Sequence, residues 1–138
     1  MLNFGQFGIS AGGECGQAVI DNVTIENSVV LNGGVNSSPS SAINICNVTH
    51  ALVTNNYVDG TQSMGITFYA YDSGETLDGS VMSNNVMLNA CQGLTDCGDL
   101  YADENDVDGG GSAGSFAIKN NFLRDFGASG QSDAHGIY

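Results

Sequence analysis

A short segment with two adjacent asparagines between apolar residues recurs along the chain. It reads VTNNYV from Val53, MSNNVM from Met82 and IKNNFL from Ile118, with a weaker copy, VTIENSVVLN, from Val23. The apolar residue two places before the first Asn, starting with Ile25, recurs after 28, 29 and 36 residues. Units of this length are too small to bury their own apolar residues and become stable by stacking on one another. The chain is therefore predicted to fold as a stack of repeats.

Each repeat contains another short strand ahead of its Asn segment. These strands read QAVI from Gln17, AINI from Ala42, GITF from Gly65 and DLYA from Asp99, and a fifth, GIY, begins at Gly136. Each unit is then a strand, a variable turn, a second strand, an Asn turn and a third strand, and no window shows a helical apolar stripe. We predict an all-β fold in which equivalent strands of successive units pair in parallel, over a single domain of residues 1–138.

Alternation along the first strand of each unit assigns side chains to two faces. The predicted inward columns are Ala18, Ile43, Ile66, Leu100 and Ile137, and beside them Ile20, Ile45 and Phe68. The predicted outward columns are Gln17, Ala42, Gly65, Asp99 and Gly136, then Val19, Asn44, Thr67, Tyr101 and Tyr138. Any function carried by this strand is expected on the outward face.

The paired asparagines themselves have a mechanical explanation. A sharp bend between strands needs the left-handed backbone region, which Asn adopts at lower cost than any other residue except glycine. Stacked Asn amides can also hydrogen-bond to their equivalents in the units above and below. We interpret the repeated Asn pair as structural.

Charge narrows the choice of partners. Two Lys and Arg residues stand against 15 Asp and Glu, giving a formal net charge of −13. This charge repels phosphate backbones and anionic membranes, so neither nucleic acid nor a membrane is expected as a partner. An acidic glycan would need a divalent cation to bridge the two sets of carboxylates, whereas a neutral glycan carries no such penalty. No apolar run approaches the roughly 20 residues that span a bilayer.

The chain alternates strands beginning with GI and segments of the form apolar-x-Asn-Asn-apolar. This pattern resembles the pectate-lyase-like repeat of secreted polysaccharide lyases, epimerases, some glycoside hydrolases and phage tailspikes. The resemblance covers roughly Ala18 to Tyr138. It implies a right-handed single-stranded parallel β-helix of about four to five coils, a secreted protein, a polysaccharide partner and, in many relatives, Ca²⁺. The closing DAHGIY looks like the middle of such a domain, so further coils or another subunit are expected at the carboxyl end.

The insertion from Cys91 to Ser115 holds six of the acids and is the candidate site. A glycosidase needs two carboxylates, which Asp99 with Asp133, or with Asp103, could supply. A lyase or epimerase needs a base and a neutraliser of the enolate. Tyr101, Tyr138 and His135 are candidates for the base or acid, and Arg124 or a carboxylate-bound Ca²⁺ for the neutraliser.

Two further site hypotheses concern the same region. Alternating oxygen ligands predict a Ca²⁺ loop, although no Glu stands at the twelfth position as an EF-hand requires, and a simply solvated acidic loop is the alternative. The predicted metal ligands are Asp103, Glu104, Asp106 and Asp108. Outward tyrosines could stack on sugar rings. The tyrosines predicted to bind substrate are Tyr69, Tyr71, Tyr101 and Tyr138.

Cys91 and Cys97 are close enough in sequence to staple one loop, with two buried thiols as the alternative. For His50 a structural role is expected. Two functions remain open. One is an extracellular enzyme that cleaves or modifies polysaccharide beside Asp99 and Tyr101; the other is a non-catalytic segment of an adhesin, a tailspike stalk or a carbohydrate-binding module.

Overall fold

The computed structural model describes residues 1, 4–12, 19–34, 40–70, 76–94, 96–104, 114–127 and 133–137, with the backbone alone for Asp96, Glu104 and Asp133. Within these ranges there is no helix, hence none long and apolar enough to cross a membrane. The strands are β1 (Phe7–Ala11), β2 (Ile20–Asp21), β3 (Thr24–Glu26), β4 (Val29–Gly33), β5 (Ser41–Cys46), β6 (Val48–Thr49), β7 (Leu52–Thr54), β8 (Tyr57–Thr61), β9 (Met64–Ala70), β10 (Val81–Ser83), β11 (Val86–Leu88), β12 (Asp96–Glu104), β13 (Ala117–Lys119), β14 (Phe122–Arg124) and β15 (Asp133–Ile137).

These strands form three larger parallel sheets and one two-stranded sheet. The first sheet has the order β1-β5-β9-β12-β15, the second β13-β10-β7-β3 and the third β14-β11-β8-β4, while β2 pairs with β6. The chain passes through the first, second and third sheets in that order four times, and β15 begins a fifth passage. We call each passage a round. The prediction of an all-β fold with parallel strands is confirmed.

The core lies between the three sheets. In the first sheet, Ile43, Ile66 and Leu100 are fully buried in register, as predicted. The matching columns are Ile25, Val53, Met82 and Ile118 in the second sheet, and Val30, Val58, Met87 and Leu123 in the third. Aliphatic side chains stacked at the spacing of paired strands, about 4.8 Å, fill this interior without a second layer of structure.

The first strand of the first round differs from the prediction. The strand that pairs with β5 is β1, with Ile9 opposite Ile43, whereas Ile20 pairs with Val48 in the small sheet. Gln17 and Ala18 lie outside the described residues. Gly8 explains the choice of β1, since an added Cβ there would lie 2.6 Å from the carbonyl oxygen of Ala42. Only glycine lets the two backbones approach so closely.

The two asparagines of each pair have different roles. The first, as in Asn55 and Asn84, is exposed and adopts the left-handed region, with φ of 55° at both positions. The second forms the predicted ladder. Asn85 Nδ2 donates to the carbonyl of Val53 at 3.0 Å, and Asn85 Oδ1 accepts from the backbone and the side chain of Asn56, each at 3.0 Å. Asn121 continues the ladder by accepting from Asn85 at 3.0 Å.

Candidate functional site

The outer side of the first sheet, where a site was predicted, is largely covered in the second and third rounds. Thr67 is fully buried and donates to Asn44 Oδ1 at 3.0 Å, and its hydroxyl lies 2.9 Å from that of Ser41. Beside them lies a second apolar cluster. Its buried members are Cys46, Met64, Tyr69, Cys91 and Cys97, with Leu94, Tyr101 and Ala134 packed against them.

The disulfide predicted between Cys91 and Cys97 is present, with their Cα atoms 5.8 Å apart. It joins the segment after β11 to β12 and places both sulfur atoms in the second apolar cluster. Cys46, in the same cluster, is also disulfide-bonded.

Tyr69 was predicted to be an outward tyrosine that stacks on sugar; it does lie on the outer side of the sheet beside Tyr101, but its ring is not exposed as stacking requires. Its side chain is only 4% exposed, and its hydroxyl donates to the sulfur of Met64 at 2.9 Å. The physical reason is the second apolar cluster, in which the disulfide segment lies over this part of the sheet. Tyr69 therefore supports Tyr101, whose ring centroid is 5.7 Å away, and offers no surface to a ligand.

Asp99, the leading catalytic candidate, does not lie on the outer face. It is 0% exposed, and neither carboxylate oxygen has a hydrogen-bond partner within the described part of the chain. By register Asp99 aligns with Ala42, which belongs to the core, and with Gly136. A Cβ added to Gly136 would lie 3.5 Å from core-facing Leu123. Asp99 thus points inward, and its predicted outward placement is wrong.

The cause is a local break in alternation. Ala42 and Ile43 are consecutive, yet both belong to the core, and Asp99 and Leu100 occupy the equivalent positions. Strict alternation holds only after the chain has turned from the third sheet into the first. Burial raises the pKa of the Asp99 carboxyl from 3.8 to about 7, because the interior disfavours its charged form.

Tyr101 and Asp103 remain accessible on β12. Both side chains are partly exposed, and their spacing of two residues places them on the same side of the strand. Asp103 aligns with Tyr69 of β9, and Tyr101 aligns with Thr67. Partial burial raises the pKa of the Asp103 carboxyl. A half-buried tyrosine and a carboxyl group that holds its proton more tightly than usual therefore share this part of the outer face.

The other predicted site residues lie apart from Tyr101 and Asp103 or are not among the described residues. His135 is exposed on β15 opposite Gly98, and Asp133 opens the same strand with only its backbone described. Arg124 lies in the third sheet, where its Nε donates to Asp125 at 2.9 Å, so it belongs to a different sheet from Tyr101. Tyr71, Tyr138, Asp106 and Asp108, and the side chain of Glu104, lie outside the described residues.

Within the described part of the chain, no three His, Cys, Asp or Glu side chains are grouped as metal ligands. Of the four predicted Ca²⁺ ligands, only the side chain of Asp103 is described.

One polar cluster was not predicted as a site. His50 Nδ1 lies 2.7 Å from Asp21 Oδ1, and Thr49 donates to the same oxygen at 2.9 Å. The hydrogen bond with His50, followed by that from Thr49, lowers the pKa of the Asp21 carboxyl. His50 has a left-handed backbone, and a Cβ on Gly79 would lie 2.3 Å from its Cδ2 atom. These contacts fix the ring at a corner of the repeat, in line with the structural role expected for His50.

Comparisons of the chain with protein-family models, with curated proteins and with solved structures found no match. Tyr101 can present an aromatic face to a sugar ring, and Asp103, whose carboxyl pKa is raised by partial burial, can act as a proton donor.

Proposed function

We propose that the chain is a right-handed parallel β-helix of four rounds and the start of a fifth, and that it is a secreted, carbohydrate-active protein. The repeated passage through three parallel sheets and the Asn ladder support the β-helix. The disulfide between Cys91 and Cys97 supports secretion, because disulfides persist mainly in oxidising compartments.

The proposed ligand is a polysaccharide bound along the outer face of β12. The observation that carries this proposal is that Tyr101 and Asp103 are both partly exposed on the same side of β12. Tyr101, held by its contact with Tyr69, would form the stacking surface. The net charge of −13 favours a neutral glycan over a uronate, unless Ca²⁺ at the acidic segment after Asp103 bridges the two.

Asp103 is the proposed proton donor to the glycosidic oxygen. A general acid must hold its proton near the working pH, and partial burial moves the pKa of Asp103 in that direction. A hydrolase also needs a second carboxylate, and Asp133 at the start of β15 stays the candidate from the sequence. A lyase would instead need a base, for which Tyr101 and His135 stay candidates.

A second candidate function is a non-catalytic glycan-binding segment of an adhesin or tailspike stalk. The inward position of Asp99 favours it, since this residue was the best catalytic carboxylate on sequence grounds. Both candidates use the same surface at Tyr101, and they differ only in whether Asp103 transfers a proton.

The test is a panel of neutral and uronic-acid glycans, with and without Ca²⁺. Reducing ends, the absorbance of unsaturated products and binding are measured for the parent, Tyr101→Ala, Asp103→Asn and the control Glu26→Gln, an exposed carboxylate on β3. We expect Tyr101→Ala to weaken binding about tenfold or more. Asp103→Asn should lower turnover about a hundredfold or more while binding persists.

The outcomes separate the two functions. Binding that depends on Tyr101, without any product, favours the non-catalytic segment. Equal binding by Tyr101→Ala and Glu26→Gln would contradict the proposed surface for either function.

A further inference from the structure

The outer face of the third sheet is largely apolar in the middle of the stack. Val58 and Met87 are buried in the core, so the residues on either side of them along β8 and β11 point outward, and these are partly exposed. They are Tyr57 and Asp59 on β8, and Val86 and Leu88 on β11. We call this surface the third-sheet face. Both of its strands are paired on either side, by β4 and β14 as well as with each other, so the face belongs to the interior rounds of the stack.

The ring of Tyr57 extends along its own strand. The hydroxyl of Tyr57 donates to Asp59 Oδ2 at 3.1 Å, and Asp59 lies only two residues further along β8. Residues two apart on a strand are separated by about 6.6 Å, so a tyrosine that reaches this carboxylate must lie over the outer face of the strand. By register, Val29 and Val86 flank Tyr57 on the neighbouring strands. The partly exposed ring therefore forms an aromatic surface between two short apolar side chains.

The carboxylate of Asp59 is held in a fixed position at the end of this ring. Asp59 Oδ1 accepts from Asn89 Nδ2 of the next round at 2.8 Å, while Oδ2 accepts from Tyr57. Asn89 is itself fixed at its corner, where its backbone is left-handed and its amide donates to the carbonyl of Arg124 at 3.1 Å. A carboxylate has about four acceptor positions, so about two remain beyond the donors that these described residues supply. Asp59 is partly exposed, and these positions can accept from a ligand.

An aromatic surface beside a fixed carboxylate matches the chemistry of a neutral sugar. The C–H groups of a sugar ring pack on an aromatic face, and its hydroxyl groups can donate to a carboxylate. A net charge of −13, and an acceptor that is itself a carboxylate, disfavour phosphates, uronates and a second copy of this chain. A purely apolar partner would bury Asp59 without supplying donors for its remaining acceptor positions, which is costly.

We propose that the third-sheet face binds a neutral polysaccharide, with one sugar ring stacked on Tyr57 and sugar hydroxyls donating to Asp59. Val86 and Leu88 extend the apolar surface into the next round for a neighbouring sugar. This site is separate from the one proposed on β12, because β12 belongs to the first sheet. Either site can therefore exist without the other.

The test is titration calorimetry with soluble neutral glucans, xylans, mannans and galactans, carried out on Tyr101→Ala so that the surface on β12 does not contribute. Tyr57→Ala is added to this background and compared with Leu52→Ala, which removes an apolar side chain 37% exposed on β7 of the second sheet. We expect Tyr57→Ala to raise the dissociation constant about tenfold or more, and Leu52→Ala to leave it unchanged. High salt should have little effect, because the ligand is uncharged. Circular dichroism establishes that each variant is folded.

Asp59→Ala provides a second test that keeps the aromatic ring. It should also raise the dissociation constant about tenfold, because it removes a charged acceptor of the sugar hydroxyls. Loss of all glycan binding in Tyr101→Ala alone would assign the ligand to β12 and overturn the proposal. Equal effects of Tyr57→Ala and Leu52→Ala, or a parent that binds none of these glycans, would overturn it as well. So would a parent dimer in sedimentation velocity that Tyr57→Ala dissociates, since the face would then serve self-association.

Discussion

Asp99 is a carboxyl group at a core position where the neighbouring rounds have Ala42, Gly65 and Gly136. Its pKa is raised to about 7, so the folded state binds this proton more tightly than the unfolded chain, where the value is 3.8. The stability that comes from this tighter proton binding is fully present below the pKa of the unfolded chain, and it is lost as the pH rises through about 7. We expect the free energy of unfolding of the parent to fall by on the order of 4 kcal/mol relative to Asp99→Asn across this window.

Urea unfolding of the parent and Asp99→Asn at a series of pH values measures that difference directly. Glu26→Gln is the control, since this carboxylate is exposed on β3 and should follow the parent at every pH. A constant difference between the parent and Asp99→Asn from acid to alkaline pH would show that the pKa of Asp99 is the same in the folded and unfolded states, and would contradict the raised pKa.

At the residue scale, the repeated Asn pair could be predicted because the same residue types recur at the same positions. Two other columns of left-handed residues could not. One holds Asn22, His50 and Gly79, and the other Asn32, Gly60, Asn89 and Asp125. Here the backbone conformation recurs while the residue type varies, since several polar residues and glycine tolerate positive φ. A search for repeated letters does not detect such columns.

At the scale of the element, the turn between the second and third sheets depends on Asn85 more than on Asn84. Asn85 is fully buried, donates to Val53 and Asn121, and accepts from Asn56. Asn85→Ala leaves several of these groups without partners. We expect it to lower the free energy of unfolding by about 3 kcal/mol.

The matched variant is Asn84→Ala, one residue earlier in the same turn. Asn84 is exposed, with φ of 55°. Because alanine tolerates the left-handed region less well than asparagine, we expect Asn84→Ala to lower the free energy of unfolding by about 1 kcal/mol. Chemical denaturation compares the two variants, and Asn84→Gly should restore most of the parent's stability. A larger loss for Asn84→Ala than for Asn85→Ala would mean that conformation, and not the ladder, holds the turn.

The element scale also shows the limits of alternation as a guide to faces. It placed Ile43, Ile66 and Leu100 correctly because they follow the corner, and it misplaced Asp99 because that residue lies within it. The alternating pattern favoured the segment from Gln17 as the first strand, and not β1. The pattern contains no information about how closely the Gly8 backbone approaches Ala42. Period-two patterns describe the middle of a strand better than its ends.

At the scale of the whole molecule, the candidate site was the hardest feature to predict. Tyr69 and Tyr101 share the outer side of one sheet, yet only Tyr101 is accessible, because the segment closed by Cys91 and Cys97 covers the other. What covers an outer face depends on the path of the connecting segments, and strand patterns do not encode that path. Of the two carboxyl side chains of the acidic insertion that the structure describes, Asp103 is partly exposed and Asp99 is buried.

Stability should also vary along the stack. Elements whose core side chains are more exposed to solvent open more readily than those whose core side chains are buried. Val53 and Met82 are fully buried in the second and third rounds, whereas Ile118 and Leu123 in the fourth are partly exposed. Amide hydrogen exchange of the parent should therefore show the least protection in β13 and β14 and the most in β7 and β10. Uniform protection across these strands would mean that the rounds unfold as one unit.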